Sequence, residues 1–373
     1  MEPVTHTLTG ALLARSGFNR KAAYATAAMA IAAEFPDIDT VSSVGGPVAG
    51  FVHHRGITHT FLGLPLEAAF LLGCFYGLHR WRLARARNRG VSDLSSITAA
   101  PVRWGMLYLL MLLALCSHLL LDFTNNYGIR PFAPFNPHWY AASIVFIFDP
   151  LLFVFLLAGL LLPALLRLVG SEISSTRSRS RAFSSKAPAQ VVLTVIAGYY
   201  LLRVYEHLRA GQLAQAQFLA LAAPNDAGSP TPILTAQRSL VSPDPLSVFR
   251  WHAVTDFGPA YLLAEIDTYR GTILSADTTE RKANTADPTI RAAIESPIGR
   301  AYLDWSSMPW IAVDRPDLGI TPGQPTVVTF TDPRFMGDVP ILRSRSRTPL
   351  TATVELDTQN HVLAQTLDGK LQP

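Results

Sequence analysis

The sequence predicts a mainly α-helical membrane protein, a multi-span helical bundle with a small β-rich domain at its carboxy-terminal end. Three observations predict this class. Of 373 residues, 49% are hydrophobic and only 16% are charged, against roughly 25% charged in soluble domains. Several apolar runs approach the ~20 residues needed to cross a bilayer. Strand-like segments are confined to the last third of the chain.

Four apolar runs predict about four spans. Residues 60–78, 104–121 and 144–168 are long enough, and 190–204 is shorter but carries a Tyr-Tyr pair and basic flanks typical of membrane interfaces. Residues 4–14 and 22–33 are Ala-rich and too short to span, which predicts a hairpin of short helices dipping into the membrane. A signal peptide ending at Ala30-Ile31-Ala32 is the rival interpretation, and its cleavage would remove His6.

The chain changes character near residue 205. Residues 206–245 predict a linker, in which a short polar helix at Arg203–Gln217 is followed by the Pro-, Ser- and Thr-rich stretch Pro224–Pro245. Residues 246–373 predict the β-rich domain, because β-branched and aromatic residues alternate there between Gly, Pro and Asp breaks. The strands are expected at Arg250–Val254, Tyr261–Tyr269, Trp310–Asp314, Thr326–Thr331 and Thr351–Leu356.

Basic residues predict the orientation in the membrane. They cluster in two loops beside the spans, at Arg80–Arg103 and Arg167–Lys186. Both loops are expected in the cytoplasm by the positive-inside rule. Residues 34–59, 122–143 and everything after about 205 then face the extracytoplasmic side. The net charge is +4, and because the basic residues cluster in these two loops beside apolar runs, the expected partner is the lipid bilayer and no nucleic acid.

Histidines and acids gather in four short segments that the predicted topology brings to one depth. His118 and Asp122 are four residues apart in a helical run, so their side chains leave the same face and reach one ion together. Ionisable side chains in apolar runs are costly and are functional candidates by default. His59, at the start of the first long run, and His6 and the acids near residue 37, carried by the hairpin, join them at the same membrane face.

The donor types predict a divalent metal, Zn²⁺ or Mn²⁺. Imidazoles and carboxylates without thiolates suit such ions, and Cys74 and Cys116 lie inside apolar runs without a C-x-x-C pair. More than four candidate ligands indicate two metals or a ring of supporting partners.

Simpler interpretations stand beside the metal site. A lone acid such as Glu67 is often a hydrogen-bonding link between helices, and the acids after Pro36 could merely start a helix. His53 and His54 are adjacent, so they point to different faces and do not both bind one ion. Arg55 is either an interfacial cation or a clamp for a substrate phosphate.

These segments resemble the LexA-regulated, membrane-bound metal-dependent hydrolases, the YdjM-like family. The resemblance covers residues 1 to about 150, and Thr60 departs from it mildly, since many members have Ser there. It rests on His6, the box Pro36-Asp37-Ile38-Asp39, the box His54-Arg55-Gly56-Ile57-Thr58-His59-Thr60, the run Ser117-His118-Leu119-Leu120-Leu121-Asp122, and Asn126-Tyr127-Gly128.

The resemblance implies that residues 1–205 form a membrane-embedded metal-dependent hydrolase domain of the inner membrane. Its implied ligands are His6, Asp37 or Asp39, His59, His118 and Asp122, and of the two aspartates we assign Asp39 to the metal. Supporting roles around the ligands fall to Glu34, His53, Asn126 and Asp149.

The expected reaction is attack of metal-activated water on an ester or phosphoester presented from the membrane, with a lipid or phosphoester as substrate. A divalent ion lowers the pKa of bound water to about 7. Asp37 or His54 takes the proton and Arg55 holds a phosphate oxygen. The alternatives are an ion-binding transporter and a metal-stabilised scaffold without turnover.

Overall fold

The computed structural model describes residues 1–90, 98, 100–173, 186–222, 237–315, 324–335 and 348–373. Within these residues the chain is mainly helical and carries two antiparallel sheets towards its carboxy-terminal end, which confirms the predicted fold class. It divides into two compact units. The first comprises Met1–Asp39, Arg55–Ala142 and Ile147–Leu202, and the second comprises Thr40–His54, Ser143–Phe146 and Arg203–Pro373.

Nine α-helices lie within the described ranges. They are α1 Pro3–Arg15, α2 Ala25–Glu34, α3 Pro47–His53, α4 Gly63–Asn88, α5 Trp104–Thr124, α6 Pro150–Ile173, α7 Ala187–Ala222, α8 Pro288–Glu295 and α9 Pro297–Trp305.

Two of these helices, α5 and the Ala187–Ala216 part of α7, are long and apolar enough to cross a membrane. A third span results if Pro47–His59 and Gly63–Asn88 together form one broken span. The described residues therefore give two or three spans, fewer than the four predicted. If the bent pair counts as one span, the difference lies in the third predicted run, because α6 begins only at Pro150 and its described apolar part ends at Pro163.

The short amino-terminal helices form as predicted, as α1 and α2, and they pack against each other. The side chain of Glu2 caps α1 by accepting hydrogen bonds from the backbone N–H groups of Val4 and Thr5. Gly10 sets the closeness of the pair, since a Cβ at this position would lie 2.3 Å from the carbonyl oxygen of Met29. Small residues at such contacts let two helix backbones approach closely.

The core of the first unit lies between α2, α4 and α5. Alanines of α2 pack against leucines of the other two helices, and α5 is apolar along its length. The arginines between 80 and 89, predicted as a loop, mostly lie on the last turns of α4, which ends at Asn88. Cationic side chains at a helix C-terminus complement the helix dipole and reach the membrane interface. This core fixes α5, which carries two of the candidate ligands.

The second unit contains two antiparallel sheets. The first has the order β1 Arg238–Pro243, β2 Arg250–Asp256, β3 Ala260–Asp267, β4 Thr272–Arg281, and the second has the order β5 Trp310–Asp314, β6 Thr326–Thr331, β7 Ala352–Leu356, β8 Val362–Leu367, β9 Lys370–Leu371. Ala210 and Ala214 of α7 pack into the core of the first sheet around the fully buried Trp251.

The five predicted strands correspond to β2, β3, β5, β6 and β7. The range predicted as a linker, 206–245, contains the second part of α7 and all of β1, while residues 223–236 lie outside the described residues. The predicted helix at Arg203–Gln217 is observed as part of α7, where Ala210 and Ala214 pack on the sheet.

Candidate metal centre

Four buried side chains from separate segments come together in the first unit. Asp37 lies in the 3₁₀ segment Phe35–Gly45, and His59 ends the 3₁₀ turn before α4. His118 and Asp122 lie one turn apart on α5. Each residue offers one nitrogen or oxygen atom, and the four atoms all lie within 4.8 Å of one another.

Two imidazole nitrogens define the centre. Nε2 of His59 lies 3.0 Å from Nε2 of His118. Oδ1 of Asp37 lies 3.3 Å from Nε2 of His59 and 3.7 Å from Nε2 of His118. Oδ2 of Asp122 lies 3.4 Å and 3.5 Å from the same two nitrogens. Two nitrogens and two carboxylate oxygens therefore surround one point, as mixed imidazole and carboxylate metal sites require.

The second ring nitrogen of each histidine faces an acceptor. Nδ1 of His118 lies 2.7 Å from the carbonyl oxygen of Ala33, which can only accept, so this ring donates from Nδ1. Nδ1 of His59 lies 3.3 Å from Oδ2 of Asp39 and 3.1 Å from the hydroxyl of Thr58. With the proton on Nδ1 in both rings, the two Nε2 lone pairs point at each other across 3.0 Å. A cation between them relieves that repulsion, so the residues present fit a metal ion.

The two carboxylate oxygens of Asp122 have different surroundings. Oδ1 receives Nη2 of Arg55 at 2.9 Å and Nδ2 of Asn125 at 3.2 Å, and the amino group of Met1 contacts it as well. Oδ2 has no hydrogen-bond donor among the described residues and faces the two histidines. A buried carboxylate oxygen without a donor is costly, which is a second observation that fits a metal ligand.

Arg55 is buried and held by protein acceptors. Besides Asp122, its guanidinium contacts the carbonyl oxygen of Gly128 and lies 3.5 Å from Oδ1 of Asn125. Its Cζ atom lies 4.5 Å from the centre of the Tyr127 ring. The backbone of Arg55 has a left-handed φ of 55°. These contacts hold Arg55 against Oδ1 of Asp122, the oxygen that does not face the two histidines.

His6 lies beside the four-residue group. Its ring stacks on that of His118 with centroids 3.8 Å apart, and its Nε2 lies 3.4 Å from Oδ1 of Asp122. Neither ring nitrogen has a hydrogen-bond partner within the described part of the chain, although the side chain is completely buried. Buried polar atoms are rarely left without a partner, so His6 is a further candidate ligand on the Asp122 side of the centre.

Glu34, the last residue of α2, and Asp37, which follows the helix, differ in charge. Burial raises the pKa of Glu34 to about 8, the charge of Asp37 adds to that rise, and the Thr7 hydroxyl, which donates to Glu34 at 3.3 Å, opposes it. Burial also acts to raise the pKa of Asp37, but the contact with His59 and nearby positive charge outweigh it and hold that pKa well below its usual range. Asp37 is therefore ionised at neutral pH, as a metal ligand must be.

A family model described as YdjM inner membrane protein matches residues 1–210, which is more than half of the chain. The chain belongs to the YdjM inner membrane protein family. This confirms the resemblance seen in the sequence boxes, and the apolar α5 and α7 agree with an inner-membrane location.

This YdjM family chain is similar to the uncharacterized protein YfhP of Bacillus subtilis (strain 168). The two are 23% identical over 177 residues, which cover 47% of this chain and 42% of YfhP. The match thus spans less than half of the length of that relative. No solved structure matches the chain.

Two predicted site residues of this YdjM family protein belong to the second unit. His53 is exposed on the last turn of α3, and His54, half-buried, follows it as the helix C-cap.

Asp149, a third predicted site residue, uses both carboxylate oxygens in hydrogen bonds at the start of α6. Its Oδ1 accepts from the N–H of Leu152 at 3.0 Å, and its Oδ2 accepts from the hydroxyl of Tyr199 at 2.6 Å. It ties α6 to α7.

The predicted hydrogen bond from Glu67 to a neighbouring helix is not found among the described residues. Glu67 is buried on the inner face of α4, and neither carboxylate oxygen has a hydrogen-bond partner in the part of the chain that the structure describes.

Asn126, a predicted supporting residue, is fully buried. Its neighbour was not predicted as a site residue. That residue is Asn125, which contacts Asp122 and also accepts from the N–H groups of Tyr127 and Gly128.

Thr58 and Ala33 were also missed. Thr58 lies beside both Asp39 and His59, and its position next to a histidine gave a weak signal for such a role. Ala33 acts through its backbone carbonyl, for which residue type gives no signal.

Proposed function

We propose that this protein is a membrane-bound metal-dependent hydrolase, with a divalent ion, Zn²⁺ or Mn²⁺, held by Asp37, His59, His118 and Asp122, with His6 beside them. The observation that carries this proposal is the pair of buried imidazoles whose Nε2 atoms lie 3.0 Å apart while each Nδ1 faces an acceptor. The donor set lacks thiolates, since Cys74 and Cys116 are exposed on their helices. Such sets are typical of catalytic metal sites.

The residues around the ion have distinct proposed roles. A divalent ion at this point would lower the pKa of water to about 7 and so supply a nucleophile at neutral pH. Arg55 and Asn125 orient Asp122 through one oxygen and leave the other for the metal. Asp39 orients His59 through Nδ1, the usual role of a carboxylate behind a metal-bound imidazole.

Glu34 is the proposed proton carrier. It is half-buried, it follows the alanines of α2 that line the core, and its raised pKa of about 8 lets it exchange a proton near neutral pH. In this proposal Asp37 serves the metal, because its oxygen belongs to the four-atom group. A carboxyl with this pKa is mostly protonated at neutral pH, so the role proposed for Glu34 is to donate a proton to the leaving group, which differs from the proton-accepting role expected for Asp37 or His54.

We propose a lipid ester or phosphoester as the substrate class. Each segment that carries a ligand also exposes large apolar side chains to the surroundings. They are Val4, Ile38, Ile57, Phe61, Leu120 and Phe123. An exposed apolar surface of this kind is stable against acyl chains and not against water. A substrate embedded in the membrane therefore approaches the centre without leaving the bilayer.

The proposal is tested with the full chain purified in detergent. Hydrolysis of generic carboxylester, phosphomonoester and phosphodiester lipids is measured with and without a chelator, and with His118→Ala as the inactive control. We expect activity that chelation and His118→Ala both abolish and that Zn²⁺ or Mn²⁺ restores to the wild type only. Metal binding without turnover supports the scaffold alternative, and metal-dependent flux across vesicles without hydrolysis supports the transporter.

A further inference from the structure

One segment between two parts of the metal centre folds with the other unit. Residues Thr40–His54 belong to the second unit, whereas Asp39 before them and Arg55 after them belong to the first. We call Thr40–His54 the strap. It includes α3 and is joined to the metal-centre residues by a single peptide bond at each end.

The strap is held at its middle by the side-chain amide of Gln372. Oε1 of Gln372 accepts from the N–H of Val48 at 2.9 Å, and Nε2 donates to the carbonyl oxygen of Gly45 at 2.9 Å. Gly46 lies between them with φ +101°, and a Cβ there would meet the Gln372 amide at 2.4 Å. The amide therefore fits against bare backbone, in a space that only glycine leaves open.

A second contact anchors α3 through an aromatic side chain. Phe51 is buried, its ring stacks on Tyr302 with centroids 5.9 Å apart, and it meets the edge of Trp305 at 5.5 Å. Tyr302 and Trp305 both lie on α9. Aromatic pairs of this geometry contribute about 0.5–1.5 kcal/mol beyond the area they bury.

Asp39 and Arg55, which flank the strap, are hydrogen-bonded to each other at the metal centre. The N–H of Arg55 donates to Oδ2 of Asp39 at 2.7 Å, which closes the strap into a loop. Asp39 contacts Nδ1 of His59, and the Arg55 guanidinium contacts Asp122. Asp39 and Arg55, the residues that flank the strap, thus each contact a candidate ligand directly.

We propose that the carboxy-terminal domain sets the geometry of the metal centre through the strap, with Gln372 and Phe51 as its positioning residues. A shift of the strap moves Asp39 and Arg55 because both are bonded to it. Small displacements of residues behind a metal ligand lower metal affinity substantially. The family match ends at residue 210, so Gln372, Tyr302 and Trp305 act from outside the region that defines the family.

The test compares Gln372→Ala and Phe51→Ala with the wild type in the full chain, with Gln359→Ala, an exposed glutamine of the same domain, as matched control. Affinity for Zn²⁺ is measured by titration, and hydrogen exchange is followed in peptides covering residues 55–60 and α5. We expect about a tenfold weaker affinity in both variants, the lower end for loss of support behind a ligand. Exchange should rise at residues 55–60 and stay unchanged in α5 and in Gln359→Ala.

This proposal rests on the proposed metal binding, and the two measurements separate their failures. If the wild type binds no metal, the proposed function fails, and hydrogen exchange still tests the coupling. If the wild type binds metal and both variants bind it equally well with unchanged exchange at 55–60, the strap does not position the centre. Phe51→Leu, which keeps an apolar side chain, serves where Phe51→Ala fails to fold, and should weaken binding less than Gln372→Ala.

Discussion

Asp39 contacts His59 at Nδ1, 3.3 Å away, on the side of the ring opposite to the Nε2 atom that faces His118. Asp37, two residues earlier, contacts the same ring at Nε2 from 3.3 Å. The two aspartates of one sequence box therefore hold opposite edges of one imidazole. Only Asp37 belongs to the four-atom group that could hold an ion.

The first prediction separates these two aspartates. Asp37→Ala should abolish metal binding, since it removes a ligand. Asp39→Ala should weaken it by about 10–100-fold, as loss of a carboxylate behind a metal-bound histidine does. Elemental analysis and Zn²⁺ titration measure both, with Asp267→Ala in the second unit as a control. Equal losses in the two aspartate variants would contradict the division of roles.

The candidate metal group comes from boxes that the sequence singled out, but the sequence did not show which acid of the Asp37–Asp39 box belongs to it. The spacing of His118 and Asp122 on a helix was sufficient, because an i, i+4 pair shares one face. Asp37 and Asp39 lie in a 3₁₀ segment, where three residues make a turn and residues two apart point in different directions. Sequence spacing cannot say which of the two directions is the inner one. For the adjacent pair Asn125 and Asn126, the sequence likewise did not show which side chain contacts Asp122, and the structure shows that Asn125 does.

The second prediction concerns the support of Asp122 by Arg55. Arg55→Met removes the guanidinium charge at Oδ1 of Asp122, which the Met1 amino group also contacts, and so breaks this buried ion pair. Breaking a buried ion pair in this way costs about 3–5 kcal/mol, so the melting temperature should fall and metal affinity with it. Arg55→Lys should recover only part, since an ammonium lacks the planar fork that reaches Asp122 and Gly128 together. Full rescue by lysine would show that charge alone suffices.

A third prediction tests the packing of α1 on α2 with two glycines. Gly10→Ala places a Cβ 2.3 Å from the Met29 carbonyl oxygen, whereas Gly73→Ala on α4 meets nothing within 4 Å. Overpacking of a tight contact costs about 1–3 kcal/mol, while alanine at an open helical site is worth about 0.5–1 kcal/mol over glycine. Thermal unfolding in detergent should therefore show a loss for Gly10→Ala and no loss for Gly73→Ala. A neutral Gly10→Ala would mean that the hairpin packs more loosely.

The fourth prediction concerns Glu67. Leu64, Ala68 and Leu71 of α4 belong to the apolar core, and Glu67 is buried on the same helix with a carboxyl that has no hydrogen-bond partner in the described residues. Replacing an unpartnered buried polar group with an apolar one of similar size removes a desolvation penalty. Glu67→Met should therefore keep or raise the melting temperature. A loss with Met that Gln restores would point to a hydrogen bond and return Glu67 to the role of a helix link.

The sequence predicted strands well where apolar runs are bounded by Gly, Pro or Asp, and it did not predict the polar strand β4 or the helices α8 and α9. Strands β5 and β6 were predicted at their observed limits, since Pro, Asp and Gly flank β-branched runs there. β4 was missed because Thr272–Arg281 is mostly polar. Helices α8 and α9 were not predicted, although the sequence carries start signals for both. Asp287 and Ser296 cap these helices, and each is followed by proline at the first helical position.

The last prediction is the placement of the domains about the membrane. The two arginine-rich regions, Arg80–Arg103 and Arg167–Lys186, are expected in the cytoplasm, because Lys and Arg near spans fix orientation. A single crossing then separates Lys186 from the carboxy-terminal domain. Helix α7 supplies it, since its apolar part runs over Ala187–Ala216 and the helix continues unbroken to Ala222. The run that looked too short in sequence is thus the start of a helix long enough to span.

Reporter fusions decide this placement. A cytoplasmic signal at residue 95 together with an extracytoplasmic signal at residue 373 supports a metal centre and a carboxy-terminal domain on the same, extracytoplasmic side. Moving charge tests the cause: replacing Arg85, Arg87 and Arg89 with Gln should lower the fraction of chains in that orientation, because fewer cations then resist transfer. Replacing Arg291, Arg300 and Arg315 in the second unit should leave it unchanged. Cytoplasmic signals from both 95 and 373 would mean that α7 lies along the interface instead of crossing the bilayer.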